Sequence, residues 1–354
     1  MIKAKINLYT QKIIKGIIPV FLIYNLIFSI CLYFNLRDAY TFFDLVAFIY
    51  NINTIYLPIF LLLITAIGLT VVGSDRKIIK GIILCFIAAL LLAGIRIYAT
   101  HIEPYNLKIR RISIKSDKIT KPLKILHITD IQSETIGDYE RKVFKTINDL
   151  QPDLIIHTGD LVSVNRGAKA KEELRKMREL IETLKPPLGL LGVNGDVDMV
   201  LHNMKESKLG GLDILRSEEF VIVYEGMKIK VFGLNLKDSE RGHPELIKKW
   251  FKTTSEAELT ILAGHFPDYV MDIKELPIDL CLAGHTHGGQ IRLPFLGPIL
   301  TYTKVPRKWA RGFRKVGNTN LNVSAGIGCE HCSGVPPIRF NCPPEMTLFE
   351  FTNE

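Results

Sequence analysis

Charge is missing from three long stretches of this 354-residue chain. Gly16 to Leu36, Ile55 to Val72 and Gly81 to Ile95 contain no Asp, Glu, Lys or Arg. A helix that crosses a bilayer needs roughly 20 mostly apolar residues. The first stretch has that length and the second comes close, while the third reaches it by taking in Ile78, Ile79 and the residues up to Thr100. The mean hydropathy of +0.19, high for a wholly soluble enzyme, therefore comes from the first hundred residues. A cleaved signal peptide would account for the first stretch alone. Two further stretches favour a multi-pass anchor of about three transmembrane helices over residues 1–100.

Cysteine is scarce, at six residues. Cys31 and Cys85 fall in the apolar stretches and Cys281 in an apolar run, where a thiol packs as a small hydrophobe. Cys329-Glu330-His331-Cys332 has too few ligands to hold zinc by itself. With Cys342 it reads as a structural cluster, a disulfide if the domain lies outside the cell. Repeats and low-complexity segments are absent. Acidic residues are outnumbered, 36 against 45 basic, for a net charge of +9. That balance suits an anionic partner or an acidic membrane surface and does not by itself imply nucleic acid, which is not expected as a partner.

Lys and Arg set the expected orientation. Lys3, Lys5, Lys12 and Lys15 precede the first stretch, and Arg76, Lys77 and Lys80 separate the second from the third. The first loop offers only Arg37 beside Asp38 and Asp44. The N-terminus is thus expected in the cytoplasm and the C-terminal domain outside. Lys108, Arg110 and Arg111 pull the other way, but long domains translocate largely regardless of charge.

Residues 101–120 read as a juxtamembrane strand or linker, with Leu107, Ile109, Ile112 and Ile114, and residues 121–354 as the main domain. Helices are expected over Tyr139 to Leu150, Ala168 to Leu184 and Pro244 to Phe251. A hairpin is expected from Phe220–Tyr224 and Met227–Leu234 across Glu225-Gly226. Further strands are expected at Leu321 to Ser324, Ile338 to Asn341 and Met346 to Phe351. Strands alternating with helices indicate an α/β domain.

Several apolar runs end in metal-ligating residue types. Leu123 to Thr129 leads to Asp130, Leu154 to Thr158 to Gly159-Asp160, and Leu188 to Val193 to Asn194-Gly195-Asp196-Val197-Asp198. Leu259 to Gly264 ends at His265, and Leu280 to Ala283 enters Gly284-His285-Thr286-His287-Gly288-Gly289-Gln290. Continuous apolar strands suit a sheet covered on both faces, and ligands gather at the carboxyl ends of such strands. Together these ends describe a site for two divalent metals, Mn, Fe, Mg or Zn, with Asp160 as the natural bridge. A hydroxide between two such cations is a nucleophile for phosphoester hydrolysis.

In order and spacing these motifs resemble those of the calcineurin-like metallophosphoesterases, and Leu282 to Gln290 with Pro337 to Glu345 resemble a membrane-associated bacterial branch of that family. The resemblance implies a four-layer αββα sandwich behind the transmembrane region. It also implies that the first metal takes Asp130, Gln132, Asp160 and His287, and the second Asp160, Asp196, His265 and His285. Gln132 stands where the family has His, a harder ligand that favours Mn²⁺ or Mg²⁺ over Zn²⁺. Asp196-Val197 replaces Asn-His, so the family's proton-bearing side chain is missing. Substrates with a low-pKa leaving group, such as a diphosphate, need that acid least. Asn194 is an alternative source of the amide ligand if the motif slips by one residue.

His127 and His157 read as core residues, Asp198 as a partner that orients a ligand, and His243 as a phosphate contact. The basic run Lys304, Arg307, Lys308, Arg311, Arg314 and Lys315, interleaved with Trp309 and Phe313, reads as a solvated loop or as a rim for an anionic head group. The expected function is a membrane-anchored phosphohydrolase acting on a phosphodiester or diphosphate of a lipid or envelope precursor. The rivals are a nucleotide-linked diacyl-sugar pyrophosphatase of lipid A synthesis and a non-catalytic binding protein on a decayed site.

Overall fold

The computed structural model of the chain describes residues 23, 25–26, 49–71, 76–163, 167–198, 208–255, 258–330 and 336–353. Most of the first apolar stretch, with Cys31, His202, His331 and Cys332, lies outside these residues. The chain divides into two compact units. One comprises residues 1–102 with 331–337, and the other Glu103–Glu330 with Ile338–Glu354.

In the first unit, α1 (Leu57–Val71) and α2 (Arg76–Ile97) belong to two helical segments, Ile49–Thr70 and Arg76–Tyr105, each long and apolar enough to cross a membrane. Leu57 and Leu61 pack with Cys85, Ala88, Ala89 and Leu92. Leu63, Leu69 and Leu84 face outward. Arg96 is held between the helices, because its Nη1 donates to Asn51 Oδ1 (3.2 Å) and Thr54 Oγ1 (2.9 Å) while its guanidinium lies over the Tyr50 ring.

The second unit contains two sheets. Its elements run β1 (Lys108–Lys115), β2 (Leu123–Ile128), α3 (Asp138–Leu150), β3 (Leu154–His157), α4 (Gly167–Glu182) and β4 (Leu190–Gly192). They continue with β5 (Lys208–Leu209), β6 (Leu212–Ile214), β7 (Glu218–Tyr224), β8 (Met227–Gly233), α5 (Leu236–Arg241), α6 (Pro244–Phe251) and β9 (Leu259–Ala263). Last come β10 (Leu280–Ala283), β11 (Arg292–Leu293), β12 (Gly297–Pro298), β13 (Gly312–Val316), β14 (Thr319–Val323) and β15 (Glu345–Thr352). The first sheet has the order β1-β15-β2-β3-β4-β6-β5, the second β13-β14-β10-β9-β8-β7, and β11 and β12 form a short ribbon. Each large sheet holds four parallel strands, β2-β3-β4-β6 and β14-β10-β9-β8.

The central strands are apolar along their whole length because both of their faces are covered. Every residue of β3, β9 and β10 is buried. Ile125, Ile156 and Leu191 of the first sheet share one apolar cluster with Ile229, Ile261 and Leu282 of the second. The other face of the first sheet packs on Val143, Phe144 and Ile147 of α3 and Met177 and Ile181 of α4. The second sheet packs on Ile247 and Trp250 of α6 and on Tyr269 and Val270. Each such buried side chain contributes about 1.5–3 kcal/mol. His127 links the two sheets: its Nδ1 lies 2.8 Å from Asn322 Nδ2 of β14 and its Nε2 2.9 Å from Thr158 Oγ1. Asn322 Nδ2 can only donate, so Nδ1 accepts and Nε2–H donates. Burial pushes His127 down to about 3, which keeps the ring neutral.

Residues 101–120, read as a juxtamembrane strand or linker, supply β1, which pairs parallel with β15 over eight residues within the unit that begins at Glu103. Two other expectations change. Ile338 to Asn341 is not a strand and makes one bridge, Ile291 to Phe340. Its backbone is shaped instead by Arg339, fully buried, whose guanidinium donates to the carbonyls of Ala325 (2.7 Å), Gly326, Gly328 and Cys342 (3.0 Å). Cys329 and Cys342 are free buried thiols rather than disulfide partners, and Cys342 Sγ donates to His287 O (3.4 Å).

Arg339→Met should leave the carbonyls of Ala325, Gly328 and Cys342 without this donor, while Gly326 O keeps the N–H of Glu345. The expected loss is about 3 kcal/mol or more, read as a lower denaturation midpoint of the purified chain.

Candidate metal centre

The parallel strands deliver their carboxyl ends to one place. Asp130 follows β2, Asp160 follows β3, Asp196 follows β4, His265 follows β9, and His285 and His287 follow β10. They gather into two triads, Asp130-Asp160-His287 and Asp196-His265-His285, each with ligand atoms within 4.8 Å of one another. His265 Nε2 joins the triads, 3.3 Å from Asp160 Oδ2 and 2.9 Å from Asp196 Oδ1. His285 Nδ1 lies 3.5 Å from the same Asp196 oxygen, and His287 Nε2 lies 3.6 Å from Asp130 Oδ1.

Close packing of backbone makes this convergence possible. A Cβ on Gly159 would stand 2.6 Å from His265 Nδ1, and one on Gly195 would overlap Asp160 Oδ1. Asp130, Gln132, Asp160, His285 and His287 all take left-handed backbone angles, with φ between 40° and 67°. Such angles are uncommon outside glycine and persist where surrounding contacts enforce them. Asp198 supplies much of that enforcement. Its buried carboxylate accepts the backbone N–H groups of Asp160, Leu161 and Gly195, each at 2.8 Å. It thereby positions Asp160 through the backbone.

The imidazoles are set for coordination. His265 Nδ1–H donates to Thr158 O (2.8 Å), leaving Nε2 for a cation. His285 Nε2–H donates to Tyr302 O (3.3 Å), leaving Nδ1. Both ring nitrogens of buried His287 lack a hydrogen-bond partner, and burial, with the Arg339 charge, holds its pKa well below the usual value. An orphaned neutral imidazole beside Asp130 fits a metal ligand. The donor set of carboxylates and imidazoles fits divalent cations of the Mn, Fe or Zn kind.

The electrostatics agree. Burial first, and then the Asp160 charge, push Asp130 up to about 7 and Asp198 up to about 6. Burial opposes charge on His265, but Asp160 and Asp196 outweigh it and lift His265 well above the imidazole range. Burial also works against ionised Asp196, yet His265 and His285 hold it well below the carboxylate range. Asp130 and His265 are thus the groups whose affinity for a proton rises, while Asp196 stays ionised between the two imidazoles.

His243 Nδ1 pairs with Asp238 Oδ1 (3.2 Å) on a half-exposed surface and belongs to neither triad. Val197 contributes only backbone, its N–H donating to Asp160 Oδ1 (3.0 Å). One residue went unnoticed: Glu330, whose Oε2 accepts from Gln132 Nε2 at 2.9 Å. The sequence placed it in a cysteine cluster, and only the convergence of β2 with the loop after β14 brings it here.

Two adjoining carboxylate–imidazole triads at the ends of parallel strands form a pair of candidate divalent-cation sites. A family model described as calcineurin-like phosphoesterase matches residues 123–289. The chain is 30% identical over 289 residues to the uncharacterized metallophosphoesterase YkuE of Bacillus subtilis, covering 78% of this chain and 96% of that one. It therefore belongs to the calcineurin-like phosphoesterase family. It is also 24% identical over 270 residues to the phosphodiesterase YaeI of Escherichia coli, covering 72% of this chain and 91% of that one. A further relative, at 24% over 313 residues, is the UDP-2,3-diacylglucosamine pyrophosphatase LpxG of Chlamydia trachomatis, covering 71% and 91%.

The protons on Asp130 and His265 set the expected pH dependence. A cation pair entering both triads displaces two protons below about pH 7 and one above it, so affinity climbs with pH and climbs most steeply below 7. Competition of Mn²⁺ with a chromophoric chelator at pH 6, 7 and 8 should show at least about a tenfold gain per unit. Asp198→Asn should turn an amide N–H₂ against one of three backbone N–H groups. The expected cost is about 1–3 kcal/mol, with weaker Mn²⁺ loading in the same titration.

Proposed function

We propose that this chain is a membrane-anchored phosphohydrolase that uses two divalent metals to cleave a phosphodiester or diphosphate, its substrate being lipid-linked or an envelope precursor. The observation that carries the reading is the pair of triads meeting at Asp160 and His265. Asp130, Gln132, Asp160 and His287 would hold one cation, and Asp160, Asp196, His265 and His285 the other. Bound there, such a pair supplies a nucleophile at neutral pH and stabilises charge on a phosphoryl group in transit. The chain's own part is to fix the donors, to keep His265 and His285 in the ligating tautomers, and to hold the Asp160 carboxylate between the triads.

Val197 offers no proton to a leaving group. Substrates that leave without one, a diphosphate above all, therefore suit the site best. The architecture that carries it is read as the four-layer αββα sandwich, with α3 and α4 outside one sheet and α6 outside the other. The anchor reading rests on the two apolar helices and on the Lys and Arg bias, which favours a multi-pass chain with the phosphoesterase domain outside the cytoplasm.

A second observation favours an amphiphilic substrate. The ribbon of β11 and β12 begins just after His287-Gly288-Gly289-Gln290 and carries Leu293, Phe295 and Leu296 at its tip, with Phe295 fully exposed and Leu296 at 76%. Lys304, Arg307 and Lys308 follow Tyr302, whose carbonyl meets His285. An exposed apolar tip beside cations matches acyl chains below an anionic head group. A nucleotide-linked diacyl sugar, the kind of molecule in the name of the chlamydial relative, is the rival substrate, and a cytoplasmic placement of the domain would favour it. A binding protein on a decayed site is the remaining alternative.

The purified chain should bind about two Mn²⁺ and hydrolyse bis-p-nitrophenyl phosphate, with Asp160→Asn and His285→Ala each lowering the rate by more than about a hundredfold. Full metal loading without turnover would point to the binding protein. Phe295→Ser should raise KM for an acylated diphosphate in mixed micelles and leave bis-p-nitrophenyl phosphate hydrolysis alone. Equal effects on the two would remove the acyl-chain role.

A further inference from the structure

We propose that Glu330 aims the Gln132 amide oxygen at the first cation, so that Asp-x-Gln serves here where the family has Asp-x-His. The inference rests on the two-metal reading above and concerns a residue beyond the stretch matched by the family model. Glu330 is a positioning residue, acting through Gln132.

The Gln132 backbone has no freedom. Its N–H donates to Asp160 O (3.0 Å) and its carbonyl accepts from Ser163 Oγ (2.9 Å). Only the side chain remains to be set. Nε2 donates to Glu330 Oε2 at 2.9 Å and to Asp160 Oδ2 at 3.0 Å. Oε1 is buried and has no donor. A buried acceptor left unpaired costs about 1–3 kcal/mol, and a hard divalent cation, which takes amide oxygens readily, would satisfy it.

Metal-bound histidines solve the same orientation problem by giving their second N–H to a carboxylate. An amide has a sharper need. Turned half around, it presents N–H₂ to the cation and repels it. A carboxylate that claims Nε2 removes that choice, and Glu330 is placed to do so.

Glu330 is itself held in register. Its N–H donates to Gln290 Oε1, and Gln290 Nε2 donates back to Glu330 O (3.3 Å). Gln290 stands three residues after His287, in a left-handed turn whose N–H returns to His287 O (3.0 Å). The result is a closed circuit from His287 through Gln290, Glu330 and Gln132 to Asp160, running from one ligand of the first triad to another. Apart from Asp160 and the ligand His287, its members lie outside both triads. Their arrangement has no purpose in core packing, since their polar ends point at one another.

The test is Mn²⁺ binding by the full chain, read as stoichiometry by competition titration and as spin coupling by electron paramagnetic resonance. The wild-type chain should bind two Mn²⁺ with a coupled spectrum. Glu330→Ala should weaken one of the two sites by about 10- to 100-fold and yield an uncoupled spectrum at limiting Mn²⁺. Adding Gln132→His to Glu330→Ala should restore the coupled pair, because an imidazole nitrogen cannot present a wrong atom in the same way. If Glu330→Ala binds both ions as the wild type does, the inference fails while the two-metal reading stands. If binding is lost, the denaturation midpoint falls and Gln132→His restores nothing, Glu330 is only a structural residue and the inference is again overturned. A wild-type chain that binds no coupled pair sinks both.

Discussion

The tie between the ends of β3 and β4 governs the rest of the second unit. Asp198 holds the N–H groups of Asp160, Leu161 and Gly195 in one carboxylate, although Asp160 is a second buried carboxylate close by. Burial first, and then repulsion by the Asp160 charge, raise the pKa of Asp198. The fold therefore accepts an electrostatic cost at the site to fix the position of one oxygen ligand. A divalent cation bound between the triads would offset that cost.

Left-handed backbone at Asp130, Gln132, Asp160, His285 and His287 follows from the same demand. A strand that runs straight on points successive side chains to opposite faces. Residues two apart, such as Asp130 and Gln132 or His285 and His287, would share a face of a straight strand but stand about 6.6 Å apart along it, and the positive φ at these positions turns the chain out of that extended path at the strand end. The neighbouring glycines leave room for that turn. The sheets beneath, apolar on both faces, form the rigid base from which it is made.

Much of this was legible in the sequence because the strands are apolar and end in chemistry. The runs before Asp130, Asp160, His265 and His285 announced both a buried sheet and its active edge, and the helix Pro244–Phe251 and the hairpin across Glu225-Gly226 were visible from their turn residues. What escaped was non-local. Pairing of β1 with β15 joins residues more than two hundred positions apart, and no local pattern distinguishes an edge strand from a linker. Ile338 to Asn341 has strand-like composition, but the demand of Arg339 for four carbonyls outweighs propensity. Glu330 was hidden between cysteines that attracted a different explanation, and Gln132 gave no hint that its amide needed an orienting partner.

The position of β15 bears on how the protein is made. This strand follows all the others among the described residues, yet it lies inside the first sheet between β1 and β2, and Glu345 at its start holds Arg110 and Arg311 and accepts the N–H of Ala325. Until those residues have been synthesised, β2 has an open hydrogen-bonding edge and the loop that carries Glu330 has nothing to rest on. A growing chain can therefore stack much of both sheets before β2 gains its partner on that side, and truncation ahead of Glu345 would leave an open sheet edge beside Asp130.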